Sequence, residues 1–324
     1  MKPIRRALLG ALLGACAATP ALAQEAWPAK PLRIVVPFPP GGSADAAARL
    51  LAPRLAEKLG QQVVVENRPG AGGSLAVGQV AKTAADGYTL VLAAAGALTI
   101  SPNLNPAIGY DPLTELAPIT GFARIPFVLV ASSDLKADTP AQAIEAARRA
   151  PGRLSYATGG NGTAMHIGGE MFKAMSNSFI VHIPYRGSGP AAMAAMSGEV
   201  QLAVVDFASV IGQRDNPRIR LLATLGRERS SLLPQMPTLH ESGLAGFDVA
   251  GWFGLFAPAR TPQPVVQRLN AEITALLRTA EFAERFKNLG MEPQPTTPDQ
   301  LQALVRGELA AYRQVIQRAG IKAE

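Results

Sequence analysis

The residues best suited to chemistry lie in a short glycine-rich stretch, Pro37-Phe38-Pro39-Pro40-Gly41-Gly42-Ser43-Ala44-Asp45. It stands between an apolar run, 32–36, and an amphipathic one, 46–59. That order reads strand, glycine turn, helix. Such a helix start aims several unpaired backbone N–H groups at one point and adds the positive end of the macrodipole. Anions settle there. A second stretch of the same type is Tyr156-Ala157-Thr158-Gly159-Gly160-Asn161-Gly162-Thr163. Two such cradles, with no catalytic constellation nearby, describe a chain that grips small carboxylates rather than transforming them. Each cradle keeps a plain alternative, a glycine turn that does no more than start a helix.

Other residues carry paired readings. Asp45 caps the first helical turn, where the dipole favours an acid, or receives a ligand amino group. Thr163 offers its hydroxyl to a ligand, and His166, one helical turn later, lines a pocket or packs as a helix histidine. Arg186, between Tyr185 and Gly187, closes its planar fork over a carboxylate or is a solvated loop charge. Asp206 follows the apolar run 200–205, at the carboxyl end of a strand where ligands approach sheets; its alternative is to cap the next helix. Phe38, Pro40, Thr99 and Thr158 complete the candidate ligand-facing set. His166, His182 and His240 lack metal-ligand spacing, and neither a phosphate-binding loop nor a nucleophile elbow occurs. Gly187-Ser188-Gly189-Pro190-Ala191-Ala192 fits G-x-G-x-x-A, but its proline and the lack of an acid about 20 positions later argue against a dinucleotide. Neither a catalytic residue nor a metal or cofactor is expected.

These turns need a scaffold, and the chain supplies alternating elements. Strands are predicted at 32–36, 62–66 and 88–93, with helices at 46–59 and 74–82. Such alternation argues for a parallel sheet covered on both faces. A long extended run, 119–131, then carries the chain into a second unit. There helices at 140–149, 163–175 and 190–197 alternate with strands at 154–157, 179–183, 200–205 and 219–225. A second extended run, 247–256, reads as the return crossing. Val265, Leu269, Ile273 and Leu276 then mark one helix, and Leu301, Val305, Leu309, Tyr312 and Ile316 another. The predicted architecture is α/β with two lobes. Residues 24–124 begin domain 1, 125–248 form an inserted domain 2, and 249–324 return to domain 1, leaving a cleft between them.

Length and composition agree with this plan. The 324 residues favour two domains of roughly 150 each, and 48% hydrophobic with 17% charged residues is a globular balance. Lys2, Arg5 and Arg6 precede a small-residue apolar stretch, 7–18, too short to span a bilayer. Ala21-Leu22-Ala23 fits a cleavage site, so residues 1–23 read as a signal peptide and the mature chain as periplasmic. Leu13-Gly14-Ala15-Cys16 offers a rival reading, a lipobox that would anchor the chain at Cys16. Cys16 is the one cysteine, so cleavage after Ala23 leaves neither disulfide nor thiol chemistry. The formal charge of +7 falls to +4 without Lys2, Arg5 and Arg6. Those charges are scattered, which excludes a nucleic-acid footprint and suits an anionic ligand.

Taken in order, several segments resemble the substrate-binding proteins of tripartite tricarboxylate transporters, the TctC or Bug family. They are Trp27-Pro28 with 30–38, the glycine stretch 40–45, 65–73, 85–90, Gly160-Asn161-Gly162-Thr163 with His166, Pro184-Tyr185-Arg186-Gly187, and Pro237-Thr238 with Glu241 and Gly243. The resemblance spans essentially the whole mature chain. It implies a periplasmic-binding-protein-like fold of type II, a Venus flytrap with mixed, mostly parallel sheets. It further implies a receptor whose carboxylate or dicarboxylate is held between the lobes by backbone groups and water. Transient contact with inner-membrane permease subunits or a sensor follows, and the chain is expected to be a monomer. Two departures bear on the ligand. Gly160, Thr163 and Ala164 stand where the family often has serines, and the loop 93–99 is unusually apolar. An exported cleft hydrolase and a ligand-free partner-binding module are the competing expectations.

Overall fold

The computed structural model describes residues 27–321; the expected signal peptide, the Cys16 anchor and Gln24 lie outside them. Eleven strands among these residues form two sheets. They are β1 (Leu32–Val36), β2 (Val63–Asn67), β3 (Thr89–Ala94), β4 (Leu116–Ile125), β5 (Phe127–Ser132), β6 (Ser155–Thr158), β7 (Val181–Pro184), β8 (Leu202–Asp206), β9 (Ile219–Thr224), β10 (Gly251–Pro258) and β11 (Glu292–Pro293). The first sheet runs β11-β4-β10-β3-β1-β2 and the second β7-β6-β8-β5-β9. This is a two-lobed, periplasmic-binding-protein-like α/β fold. The β2-β1-β3 and β7-β6-β8 ladders are parallel. Antiparallel ladders appear where the crossing strands β4, β5 and β10 enter.

The parallel strands are apolar because helices cover both faces. In Leu32-Arg33-Ile34-Val35-Val36 all but Arg33 are buried. Helix α1 (Ser43–Leu59) lays Ala44, Ala47, Ala48, Leu51 and Leu55 on that core at helical spacing. Helices α2 (Ser74–Ala81) and α3 (Ser101–Leu104) follow in the first lobe, α3 after a π-turn at Gly96–Ile100. The second lobe holds α4 (Pro140–Arg149), α5 (Ala164–Ser176) and α6 (Ser188–Ser197). Thr139 and Gln142 form a reciprocal capping box that fixes where α4 starts. After the return come α7 (Gln263–Leu277), α8 (Ala280–Asn288) and α9 (Pro298–Ala319).

Two links join the lobes and lie side by side. Proline cannot extend a ladder because it lacks the N–H, and Pro126 separates β4 from β5. Its carbonyl instead accepts from the Phe207 N–H at 2.9 Å. The return passes through Val249, whose N–H donates to the Leu225 carbonyl at 2.8 Å. It then enters β10, where Gly251 pairs with Ile125. A Cβ at 251 would collide with the Phe127 ring, so glycine lets the two crossings touch.

Helix α8 leaves little trace in the sequence pattern because it holds only two buried apolar residues, Phe282 and Phe286. Phe286 meets Phe122 edge-on at 5.4 Å. In place of a loop over 93–99, β3 runs on to Ala94 and a π-turn spans Gly96–Ile100. No helix among the described residues is long and apolar enough to cross a membrane.

Two glycines test this packing in opposite directions. In α5, Gly169→Ala would drive a methyl into the buried Tyr156 ring; overpacking of this kind costs about 3 kcal/mol. In α9, Gly307→Ala meets nothing within 4 Å and gains about 0.5–1 kcal/mol from helix propensity. Urea unfolding should therefore shift its midpoint down for the first and up for the second.

Candidate functional site

A cleft of about 580 Å³ opens between the lobes. The first lobe lines it with the β1–α1 turn, Phe38 to Ser43, and with Ala94, Ala95 and Gly96 after β3. The second lobe contributes Thr163 to Met165, Arg186 to Pro190, and Asp206 with Ser209. The crossings supply the back wall through Ile125, Phe127, Trp252 and Phe253. Parallel strands put their carboxyl ends and the following helix starts on one edge, and here two such edges face each other.

The first turn is held from behind. Asp45, 4% exposed, accepts from the Gly41 N–H at 2.9 Å, from Arg49 Nε at 2.9 and 3.0 Å, and from Asn67 Nδ2 at 2.9 Å. Asn67 also donates to the Phe38 carbonyl at 3.0 Å. Burial pushes the Asp45 carboxyl up, but Arg49, the Gly41 N–H and Asn67 together hold it below its ordinary value. Gly41, at φ +83°, turns its N–H onto this carboxylate. That donor therefore serves the fold, and Asp45 stands behind the turn rather than in the cleft. The N-cap of α1 is Gly42, with no side-chain cap, and the first intrahelical bond comes from the Ala46 N–H to the Gly42 carbonyl. The amides of Ser43, Ala44 and Asp45 have no intrahelical acceptor.

At the second predicted cradle the threonine hydroxyl is turned onto its own loop. Thr163 is the N-cap of α5, accepting from the His166 N–H at 3.2 Å and donating to the Gly160 carbonyl at 2.7 Å. Its hydroxyl is spent on the turn, although the residue does line the cleft. The second lobe also lines the cleft with an uncapped helix start, Gly187-Ser188, the N-cap and first residue of α6. That helix begins two residues before the Pro190 start that the sequence predicts. The glycine at 187, φ +109°, was the available signal.

The two helix starts converge. Ser43 Oγ, on α1, donates across the cleft to Asp206 Oδ2 at 2.8 Å. Asp206 N in turn donates to Ser188 Oγ, on α6, at 3.2 Å. Asp206 Oδ1 accepts from the Ser209 N–H at 2.9 Å, so the capping role holds along with the cleft position. The charged side chains lining the cleft are Asp206, 6% exposed, and Arg186, which is exposed. The rest of the wall is largely apolar, and sequence reasoning missed Met165, Ser188, Trp252 and Phe253 within it.

Other candidates fall elsewhere. Gly159, Gly160 and Tyr185 line an adjoining cavity of about 490 Å³, which Phe38, Arg186 and Gly187 also border. Thr158 is buried, its hydroxyl 2.7 Å from His182 Nε2. His166 lies beneath the 160–163 loop, where Nδ1 accepts from the Gly162 N–H at 3.3 Å, and its ring stacks on His182 at 4.3 Å. Burial pushes His182 down to about 4, against the pull of Glu170, and so keeps it neutral. Thr99 is buried in the π-turn, donating to the Ala95 carbonyl at 2.9 Å. Gly162 meets Ser101, whose Oγ donates to its carbonyl at 3.2 Å, a contact between the lobes. None of the three histidines lines the cleft, and among the described residues no cluster is suited to a metal ion.

Comparison with known proteins places this geometry among receptors. A family model described as tripartite tricarboxylate transporter family receptor matches residues 47–321. A protein of Pseudomonas sp. (strain P51), described as the UPF0065 protein in the tcbD-tcbE intergenic region, is 38% identical; the match covers 96% of this chain and 93% of that protein. An R. palustris protein solved with adipate superposes with a TM-score of 0.88 at 34% identity, covering 91% of this chain and 99% of that one. MatC from Rhodopseudomonas palustris, solved with bound malate, gives 0.84 at 29% identity, with 90% and 100% covered.

Asp45 offers a test of the turn. Asp45→Ala strands the Gly41 N–H, Asn67 and Arg49, at a cost of about 2–3 kcal/mol near neutral pH. Because the folded carboxyl is depressed, its stabilisation is present above the unfolded value, about 3.8, and is lost as pH falls through the folded one. Denaturation of both proteins as a function of pH should show the gap closing only in strong acid.

Proposed function

The chain belongs to the tripartite tricarboxylate transporter receptor family, and from that premise we propose that its interlobe cleft captures a small carboxylate in the periplasm for a membrane permease. One observation carries the reading: two helix starts without side-chain caps, α1 from one lobe and α6 from the other, meet within two hydrogen bonds of each other through Asp206. Each presents free amides and the positive end of its dipole. A carboxylate entering between them would take main-chain donors at Gly42, Ser43 and Ala44 from below, and at Ser188 and Gly189 from above. Arg186, at the rim, is placed to approach it. Relatives with solved structures hold adipate and malate, which supports a carboxylate as the ligand class.

The energetics are adequate. A micromolar complex needs about 8 kcal/mol, and a hydrogen bond to a charged group contributes roughly 1.5–3 kcal/mol. Three or four such bonds, in a cleft walled by Phe38, Phe127, Trp252 and Phe253, reach that range after the cost of closure. The wall favours ligands with an apolar body between or beside the charged ends. Hinge motion at 125–127 and 249–251 would open the cleft and release the ligand to a permease. The receptor is expected to work as a monomer.

Two measurements test the reading. Mass spectrometry of small molecules released from protein purified out of a native periplasm should identify a carboxylate. A thermal-shift screen of mono-, di- and tricarboxylates should then raise the Tm; a ligand at 100 times its Kd adds about 2.7 kcal/mol. Gly42 has ordinary φ and a Cβ there meets only the Pro39 carbonyl, at 3.6 Å, so Gly42→Phe should fold. Its ring would cover the α1 amides, and the ligand-induced shift should vanish. An undiminished shift in this variant would move the binding point away from α1.

A further inference from the structure

We propose that Glu308 is a positioning residue of the cleft: from α9 it fixes Trp252 in the wall through its indole N–H, and this grip loosens when the carboxyl takes a proton. The inference takes the cleft to be the ligand site.

The geometry is specific. Trp252 stands at the second position of β10, directly after the return crossing, and lines the cleft while being 4% exposed. Its Nε1 donates to both carboxyl oxygens of Glu308, each at 2.9 Å. The same carboxyl approaches Thr99 Oγ1 at 3.3 Å. Thr99 lies in the π-turn that leads away from Ala95 and Gly96, two further lining residues. One side chain from the C-terminal helix thus reaches the back wall and the first-lobe floor together. An indole N–H has one hydrogen-bonding role, as a donor, so nothing else on Trp252 can replace this bond.

The surroundings make the carboxyl responsive. Burial is the largest influence and pushes it up; the donors Trp252 and Thr99 pull the other way, and the like charge of Asp248 adds to the rise, which reaches about 7. Asp248, in the link into β10, accepts from the Arg227 N–H at 3.0 Å. Tyr312, one turn along α9, is buried, and burial followed by the Glu308 charge holds its hydroxyl well above the ordinary range. On α3, Asn103 donates to the Thr99 and Leu309 carbonyls and accepts from Arg313. On α5, which packs on α9, Lys173 and Glu170 pair with each other and His166 stacks on His182. Arg124 on β4 is exposed. Among the described residues, no cation pairs with Glu308. A charge-assisted hydrogen bond is roughly twice as strong as a neutral one, so a proton gained here weakens the hold on Trp252 at a pH close to neutral.

The test reads Trp252 directly in ligand-free protein, so it succeeds or fails independently of which carboxylate binds. The chain has two tryptophans, and Trp27→Phe leaves Trp252 as the sole emitter. In that background, emission and acrylamide quenching should change sigmoidally with pH, with a midpoint near 7. Emission should shift to the red and quenching should rise on the acid side, because a neutral carboxyl holds the indole N–H less strongly than a carboxylate. Adding Glu308→Gln, which keeps an acceptor but cannot titrate, should flatten both profiles. Adding Glu308→Leu, which fills the space without an acceptor, should leave quenching high at every pH. A flat profile in Trp27→Phe, or the same transition surviving in Glu308→Gln, would overturn the proposal. Should the leucine variant not fold, the glutamine comparison still decides.

Discussion

A helix start can hold a ligand anion only if the protein's own side chains do not reach its amides first, and much of this structure serves that requirement. Ser, Thr, Asp and Asn are the usual N-caps because their oxygens take those amides. Thr139, Thr163, Thr279 and Thr297 do so at α4, α5, α8 and α9. Of the helix starts that line the cleft, that of α5 is capped, whereas α1 and α6, from opposite lobes, have glycine there and no side-chain cap, as α2, α3 and α7 elsewhere also lack one. With glycine at the N-cap, the missing side chain costs each helix only a few tenths of a kcal/mol, a cost the rest of the fold absorbs. Asp45 shows how the turn survives without a cap: a buried carboxylate ties Gly41, Arg49 and Asn67 together behind it. The same acid in front of the turn would compete with the ligand.

The lobes must also come close without side chains interposed. A Cβ at Gly72 would lie 2.5 Å from the Asn161 carbonyl, and one at Gly96 would lie 2.8 Å from the Gly162 carbonyl. Both glycines are in the first lobe and both meet the 160–163 loop of the second. That loop is consequently a contact surface between lobes as well as a helix start. This explains why its Thr163 hydroxyl turns inward to the Gly160 carbonyl. Where the loop is pressed against the opposite lobe, a buried hydroxyl is best satisfied from within the loop.

Periodicity made the fold legible. The apolar runs at β1, β3 and β8 are too uniformly hydrophobic for half-exposed strands, and glycine turns punctuate them where parallel strands hand over to helices. The long extended runs 119–131, interrupted at Pro126, and 247–256 stood out from the βα rhythm, and they hold β4, β5 and β10. Elements that depend on a few contacts were not readable. Helix α8 rests on two phenylalanines, and β11 is two residues long. The cleft-lining turn of the first lobe was legible, because turn and helix follow the strand without interruption. On the second lobe the pattern drew attention to the more glycine-rich loop, 159–163. Whether a threonine faces a ligand or its own backbone is decided by one rotamer, and composition does not encode that. Glu308 was invisible for a different reason. It lies 56 residues from Trp252, and a glutamate in an amphipathic C-terminal helix reads as a solvated charge.

The placement of Asp206 constrains the ligand more than the helix starts do. Its carboxylate, 2.8 Å from Ser43 Oγ, occupies the position where the two lobes come together. A ligand carboxylate accepting from Ser43 Oγ would sit beside a second, nearly buried negative charge, which is strongly unfavourable. On the proposed reading the anion would therefore bind through the main-chain amides, displaced from that hydroxyl. Whatever part of the ligand faces Asp206 must be neutral or a donor. Arg186 balances Asp206 among the charged lining residues, so the net attraction for an anion comes from the two helix ends. Their combined strength is equivalent to about one positive charge. A second carboxylate on the same ligand would need to lie toward Arg186 and the solvent, with its apolar segment along the aromatic wall.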